Sequence, residues 1–434
     1  MTIDKPLHEL GLAESARLIA AGEITSEALV AACLARIEAR EPVVKAWSFI
    51  DPELALAQAR ACDAGPSRGV LHGVPIGVKD VIDTCDMPTE MGSPIYAGLR
   101  PSWDASCVAL ARTAGAVMLG KTVTCEFAGM APGATANPHD PTRTPGGSSS
   151  GSGAAVADHM VALAFGTQTG GSVLRPASFC GVIGYKPTYG MFNRAGLKFA
   201  AESLDTIGLI AREIEDLELV TAALTNRPPV APAEPKGALR IGVCQTYLWH
   251  KAEPASRAAL ERAAAAARAA GAQVVDFELP PAFSELTETR EILNNVERAR
   301  SLGYEWTHHR AQISPALSRS VELGLATSEE QYRAALRFAE RCRLELDALF
   351  ASFDVLLAPS ANGEAPEGLH YAGDPSFQGL WTLLHTPTIS LPAGKGPNGM
   401  PVGVQMIAPR YGDRNLLDAA QWLVARAGVT GGLK

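Results

Sequence analysis

The segment Thr144–Ala177, TPGGSSSGSGAAVADHMVALAFGTQTGGSVLRPA, constrains this chain more than any other stretch, and Asp158 is its only acid. Two Gly-Gly-Ser turns end at Ser148 and Ser172, 24 residues apart. Between them the pattern predicts a helix over Ala154–His159 and an apolar strand over Val161–Phe165. Small residues let backbone N–H groups approach a ligand closely. Successive N–H groups form an anion-binding concavity, which a developing alkoxide oxygen requires. Three other readings of the run weaken on inspection. A flexible Gly/Ser linker does not lead at once into an apolar strand and a second such turn. A phosphate loop needs Gly-Lys-Ser/Thr, and no Lys lies between Lys121 and Lys186. The stretch Gly147–Gly151 matches G-x-S-x-G with Ser149 as nucleophile, but an elbow follows a buried strand. The preceding PHDPTRTP cannot form one.

A serine nucleophile needs a base, and Ser-Lys pairs exist beside the histidine forms. Lys79 ends the apolar run Gly73–Val78, before Asp80. Burial there disfavours the ammonium and lowers the pKa, as a lysine base requires. The alternative is a surface Lys79 paired with Asp80. The adjacent His308 and His309 point to different helix faces and lack an HExxH context, so no metal site is expected. Ser149, Ser150 and Ser152 read as turn residues or supporting hydrogen bonders. Cys180, in apolar ASFCGVIG, reads as buried packing.

Beyond this segment, helical and strand-like patterns alternate, an α/β signature. Helices are expected at Ser26–Arg40 (N-cap Ser26 or Thr25), Glu53–Asp63, Asp104–Ala114, Ile214–Leu224, Pro254–Ala270, within 285–350 and at Arg414–Arg426. Further strands are expected at Gly73–Val78, Ala116–Leu119, Arg240–Cys244, Gln273–Leu279, Phe353–Ala358, Thr388–Leu391 and Val402–Ile407. NRPPVAPAEPKG (226–237) reads as a long surface loop inside one unit, with a subdomain boundary there as the alternative. The 434 residues are 47% hydrophobic and 19% charged, enough for a large core. The net charge is 38 − 46 = −8 with no basic run, so no nucleic-acid or membrane partner is expected. MTIDKPLHEL has no apolar leader core, and the eight cysteines are never closer than 18 residues. Both suit a cytoplasmic setting.

The chain resembles the amidase signature family. The resemblance rests on GVPIGVKD around Lys79, DASCVALARTAGAVMLGKT (104–122) and PGGSSSGSGAAVA (145–157). It extends through GTQTGGSVLRPASFCGVIGYKPT (166–188) and PVGVQMIAP (401–409), so it covers about residues 10–425. It implies a large mixed β-sheet core covered by helices on both faces, as a single amidase domain over 1–434. It also implies a Ser-cisSer-Lys triad. Ser172 is then the acylated nucleophile, and Ser148, after a cis Gly147–Ser148 bond, bridges to Lys79. The N–H groups of Thr169, Gly170, Gly171 and Ser172 form the oxyanion hole. The implied reaction hydrolyses a carboxamide, or a urea- or carbamate-like C–N bond, releasing ammonia or amine. No metal or cofactor is implied, the partner is a small-molecule amide, and a homodimer is left open.

Three positions depart from the common G-T-D-T-G-G-S-I-R pattern and its surroundings. Gln168 replaces the acid, Arg175 stands three residues after the nucleophile instead of two, and Leu209 replaces a frequent Pro. Together with WTLLHTPTISLPAG (381–394), they resemble the small-amide subgroup. The ranking therefore sets the glutamine-amidotransferase subunit of tRNA-dependent amidation second, and a catalytically inactive scaffold of the same fold after it. Arg175 is either a substrate clamp or the partner of an internal carboxylate such as Asp205 or Glu126.

Overall fold

Fully buried strands need both sheet faces covered, and this chain supplies the apolar residues to do it. The computed structural model describes residues 5–231, 233–235 and 237–429, so residues 232 and 236 of the 226–237 stretch and Met1–Asp4 lie outside the described residues. Eleven strands form one mixed sheet: β1 (Trp47–Ile50), β2 (Pro75–Lys79), β3 (Val117–Thr122), β4 (Leu163–Gln168), β5 (Ile183–Lys186), β6 (Thr206–Ala211), β7 (Arg240–Cys244), β8 (Gln273–Phe277), β9 (Val355–Pro359), β10 (Thr388–Lys395) and β11 (Pro401–Ile407). Their order is β1-β3-β2-β4-β6-β5-β10-β11-β9-β7-β8, so strands from both sides of 226–237 share the sheet.

Side-chain alternation divides the core into layers. Met118, Leu163, Phe165, Ile207 and Leu209 pack on one face. Val117, Leu119, Ala164 and Ile210, from the same three strands, pack on the other. The large mixed sheet covered on both faces is thus present as the resemblance implies.

Parallel pairing of β2 with β4 sets Val78 opposite Phe165, which brings Lys79 beside the end of β4. Antiparallel pairing of β4 with β6 sets Gln168 opposite Thr206, which adds the start of β6 to the same edge. A further layer closes over that edge. The helices Leu286–Ser301, Pro315–Ala326 and Glu329–Leu349 pack together, and the helix Ser376–Leu383 lies against the first of them.

Most expected elements fall within a few residues of the observed ones. The helix Ser26–Val44 is capped by Thr25, whose hydroxyl accepts the Ala28 N–H at 3.1 Å, and it runs past Arg40 through Pro42. The expected Ala154–His159 helix begins earlier, at Ser150, and ends at Ala157. The Val161–Phe165 strand is displaced to Leu163–Gln168.

Candidate active site

The two Gly-Gly-Ser turns meet at the shared edge of β2, β4 and β6. Gly146 has φ +82°, a left-handed conformation that favours glycine, and a Cβ there would lie 2.9 Å from Pro176 Cα. The peptide bond Gly147–Ser148 is cis. Lys79 reaches this turn from the end of β2. Its Nζ lies 2.8 Å from Ser148 Oγ, 2.7 Å from Thr167 Oγ1 and 3.4 Å from the Thr167 carbonyl. Lys79 and Ser148 are 0% exposed, and among the described residues no carboxylate contacts the amine. Burial therefore dominates and draws the Lys79 pKa down to about 7. The surface pairing with Asp80 is not what forms. Asp80 lies against Lys121 instead, 3.5 Å from its Nζ.

Ser172 is the more open serine at 6% exposure, and its hydroxyl bonds to no described residue. Its carbonyl accepts the Ser149 N–H at 3.2 Å, which joins the two turns. Among the described residues, no hydrogen bond uses the N–H groups of Thr169, Gly170, Gly171 or Ser172, which leave β4 one after another. Ser149 is not available as a nucleophile. It is 0% exposed, and its hydroxyl bonds both the carbonyl (3.3 Å) and the N–H (3.2 Å) of Thr167. Ser152 bonds Thr122 Oγ1 at 2.7 Å and the Phe165 carbonyl at 2.9 Å. Cys180 is buried, its Sγ lies 3.4 Å from the Pro145 carbonyl, and burial pushes its thiol pKa up.

The Gln168 departure has a structural account. Its side-chain carbonyl accepts the N–H groups of Val173 (2.9 Å) and Leu174 (3.1 Å), a task a carboxylate could also perform. Its amide also donates to Thr382 Oγ1 at 3.0 Å, which a carboxylate could not do. Thr382 in turn donates to the Gly170 carbonyl at 2.6 Å, fixing the plane of the peptide that presents the Gly171 N–H. A Cβ on Gly171 would lie 2.5 Å from Gln378 Oε1, so a larger residue there has to displace the Gln378 side chain.

Arg175 corrects one expectation. It is 1% exposed and pairs with neither Asp205 nor Glu126. Its Nη2 donates to the Gly147 carbonyl at 2.6 Å, while Nε and Nη1 are buried without a partner among the described residues. Asp205 is occupied by the Thr169 hydroxyl and by the N–H groups of Ala200 (2.6 Å) and Ala201 (3.1 Å). Glu126 receives the Ser314 N–H.

Thr167, Arg290, Gln378 and Thr382 are not singled out by the sequence, and Asp205 is named there only as a partner for Arg175. Thr167 was within reach, since it lies in the GTQTGGS motif itself. The others come from distant segments, with only the WTLLHTP stretch hinting at Thr382.

The fold and this edge define a class, and comparison with known proteins gives its name. The Amidase family model matches residues 28–417, and the chain belongs to that family. Its relatives include glutamyl-tRNA(Gln) amidotransferase A subunits, among them that of Chloroflexus aurantiacus, 34% identical over 95% of each chain. Among solved structures, one described as a vestigial protein complex that reveals the evolutionary origins of an s-triazine catabolic enzyme superposes with a TM-score of 0.89 at 29% identity, covering 98% of this chain and all of that one. An amidase superposes at 0.88 and 32%, covering 96% of this chain and all of that one. The curated relatives favour the amidotransferase-subunit reading over the small-amide reading, reversing the ranking drawn from Gln168 and Arg175. No helix of the described residues is long and apolar enough to cross a membrane.

Proposed function

We propose that this chain hydrolyses a carboxamide through a Ser172 acyl-enzyme and releases ammonia, as the amide-cleaving component of an amidotransferase-type assembly in a cytoplasmic setting. The observation that carries the chemistry is the buried 2.8 Å contact between Lys79 Nζ and Ser148 Oγ, in a turn bonded to that of Ser172, the more exposed of the two serines. A neutral amine accepts a proton from Ser148 as Ser148 accepts one from Ser172. The Ser172 oxygen attacks the amide carbonyl, and the N–H groups of residues 169–172 receive the alkoxide. Returning the proton by the same path lets the C–N bond break and ammonia leave. Water then attacks the acyl ester, giving carboxylate and free serine. That the curated relatives are A subunits of a glutamyl-tRNA(Gln) amidotransferase supports a partner subunit, and the resemblance to a glutamine-amidotransferase subunit supports glutamine as the ammonia donor.

The second reading is a free-standing amidase, which the Gln168 and Arg175 departures favour. Ammonia release from glutamine and from simple primary amides by the isolated chain tests both, together with intact-mass analysis after fluorophosphonate treatment. The proposal expects one adduct, on Ser172. An adduct on Ser148 or Ser149 with Ser172 unmodified contradicts it.

A further inference from the structure

Around the nucleophile the charges do not balance. Arg290 projects from the helix Leu286–Ser301 toward the turn that follows β4. A Cβ on Gly170 would lie 3.4 Å from its Nη1, and one on Gly379 would lie 2.8 Å from its Nε. The guanidinium is thus wedged between the proposed oxyanion turn and the helix Ser376–Leu383. Yet it makes no hydrogen bond or ion pair to any described residue, and burial is the main influence on it.

Its neighbours do not neutralise it. Asp374, the nearby acid on the facing segment, is engaged by Lys251 Nζ at 3.1 Å and by the Ser376 N–H at 2.8 Å. Glu291 sits on the exposed side of the same helix. Tyr247 is a neutral phenol bonded to Thr287 Oγ1 at 3.1 Å. Two further guanidiniums, Arg175 and Arg298, lie close enough to act on the same region electrostatically. Among the described residues Arg298 reaches only the Phe127 carbonyl (3.4 Å) and Asn294 Oδ1 (3.3 Å), and Asp205 is the acid that most offsets it. A partly buried cation without a partner is costly unless a ligand supplies the anion.

We propose that Arg290 is a specificity-determining residue that receives a carboxylate on the substrate, so that the site selects carboxamides bearing a negative charge over neutral ones. Its position against Gly170 places that carboxylate within one short chain of the carbonyl to be attacked, the spacing of a dicarboxylic acid monoamide. The planar fork suits a carboxylate in two parallel hydrogen bonds, a geometry an ammonium cannot reproduce. The inference rests on the acyl-enzyme reading for the location of the reacting carbon, but the binding it predicts can be measured without turnover.

The test is calorimetric binding of succinamate and butyramide, an anionic and a neutral carboxamide of the same length, to full-length Ser172→Ala protein. The expected result is at least tenfold tighter binding of succinamate, with the ratio falling at least tenfold when Arg290→Gln is added. Arg290→Lys retains part of the preference, and the melting temperature of each variant separates lost recognition from lost fold. Equal or undetectable binding of both amides overturns the proposal, as does a ratio that Arg290→Gln leaves within twofold. Hydrolysis of succinamate by Ser172→Ala would instead count against the acyl-enzyme reading and leave the binding ratio to stand or fall by itself.

Discussion

Lys79 and Lys186 end two strands of one sheet, β2 and β5. Both are 0% exposed, and burial draws both from an ordinary 10.5 down to about 7. Their partners differ. Lys186 Nζ donates to the carbonyls of Pro187 (3.0 Å) and Thr386, groups that can only accept. Lys79 faces two hydroxyls, Ser148 Oγ and Thr167 Oγ1, either of which can donate to a neutral amine. A lowered pKa therefore marks burial, and the hydrogen-bonding character of the partners separates a base from a structural lysine. Lys121, also buried and lowered to about 8, meets hydroxyls too, Thr89 Oγ1 at 2.6 Å and Thr84 Oγ1 at 3.5 Å, but the Asp80 carboxylate beside it favours the ammonium, which the Ile82 and Pro88 carbonyls accept from, and this sets it on the structural side.

The comparison breaks most severely if the nucleophile or its base is removed. Ser172→Ala and Lys79→Ala should each lower kcat by at least about a thousandfold, because groups acting as one unit fail together. Lys79→Arg should not rescue activity, since a guanidinium cannot accept the proton. Steady-state ammonia release on folded variants checks all three. Thr382→Val removes the donor that holds the Gly170 carbonyl and should cost about ten- to a hundredfold in kcat through misplaced oxyanion donors. Its KM should move less, and a KM effect with kcat intact would point to substrate contact instead.

Smaller effects fall on stability. Arg175→Lys loses the bond to the Gly147 carbonyl, and Lys186→Met removes the donor to the Pro187 and Thr386 carbonyls, of which Thr386 keeps the Thr388 hydroxyl at 3.4 Å, so each should cost about 1–3 kcal/mol in denaturant unfolding. Lys186→Met should keep turnover near wild type, whereas Arg175→Lys should lower activity alike on anionic and neutral amides. Both lysines also couple stability to pH with the same sign. The folded protein has shed protons near pH 7 that the unfolded chain keeps until about 10.5. The cost of burying them is thus fully present below pH 7 and is relieved as pH rises toward 10.5. Lys186→Met should flatten part of that slope between pH 7 and 10.

What could be read from the sequence follows from the same physics. The Gly/Ser turns and the Lys79 strand were legible because close backbone approach and burial leave a compositional trace. The strand Arg240–Cys244, bounded by a proline-rich stretch and a turn, was found residue for residue. Strands β5 and β6 were missed because IGYK is short and TIGLIA, buried on both faces, has no alternation to distinguish it. Arg290 and Arg298 were hidden for the opposite reason. The helix LTETREILNNVERARS has the charged face of a solvated helix, and the packing of Pro315–Ala326, Glu329–Leu349 and Ser376–Leu383 around it turns that face inward. The partner of Arg175 was unreadable because it is a backbone carbonyl, which no side-chain pattern encodes.

Lys79, and not the equally buried Lys186, is the proposed base that activates Ser172. The most direct test is the pH dependence of the rate at which a fluorophosphonate modifies Ser172. The expected rate rises with pH through an inflection near 7, is retained in Lys186→Met and is flat and low in Lys79→Arg. A rise that persists in Lys79→Arg, or that disappears in folded Lys186→Met, would contradict it.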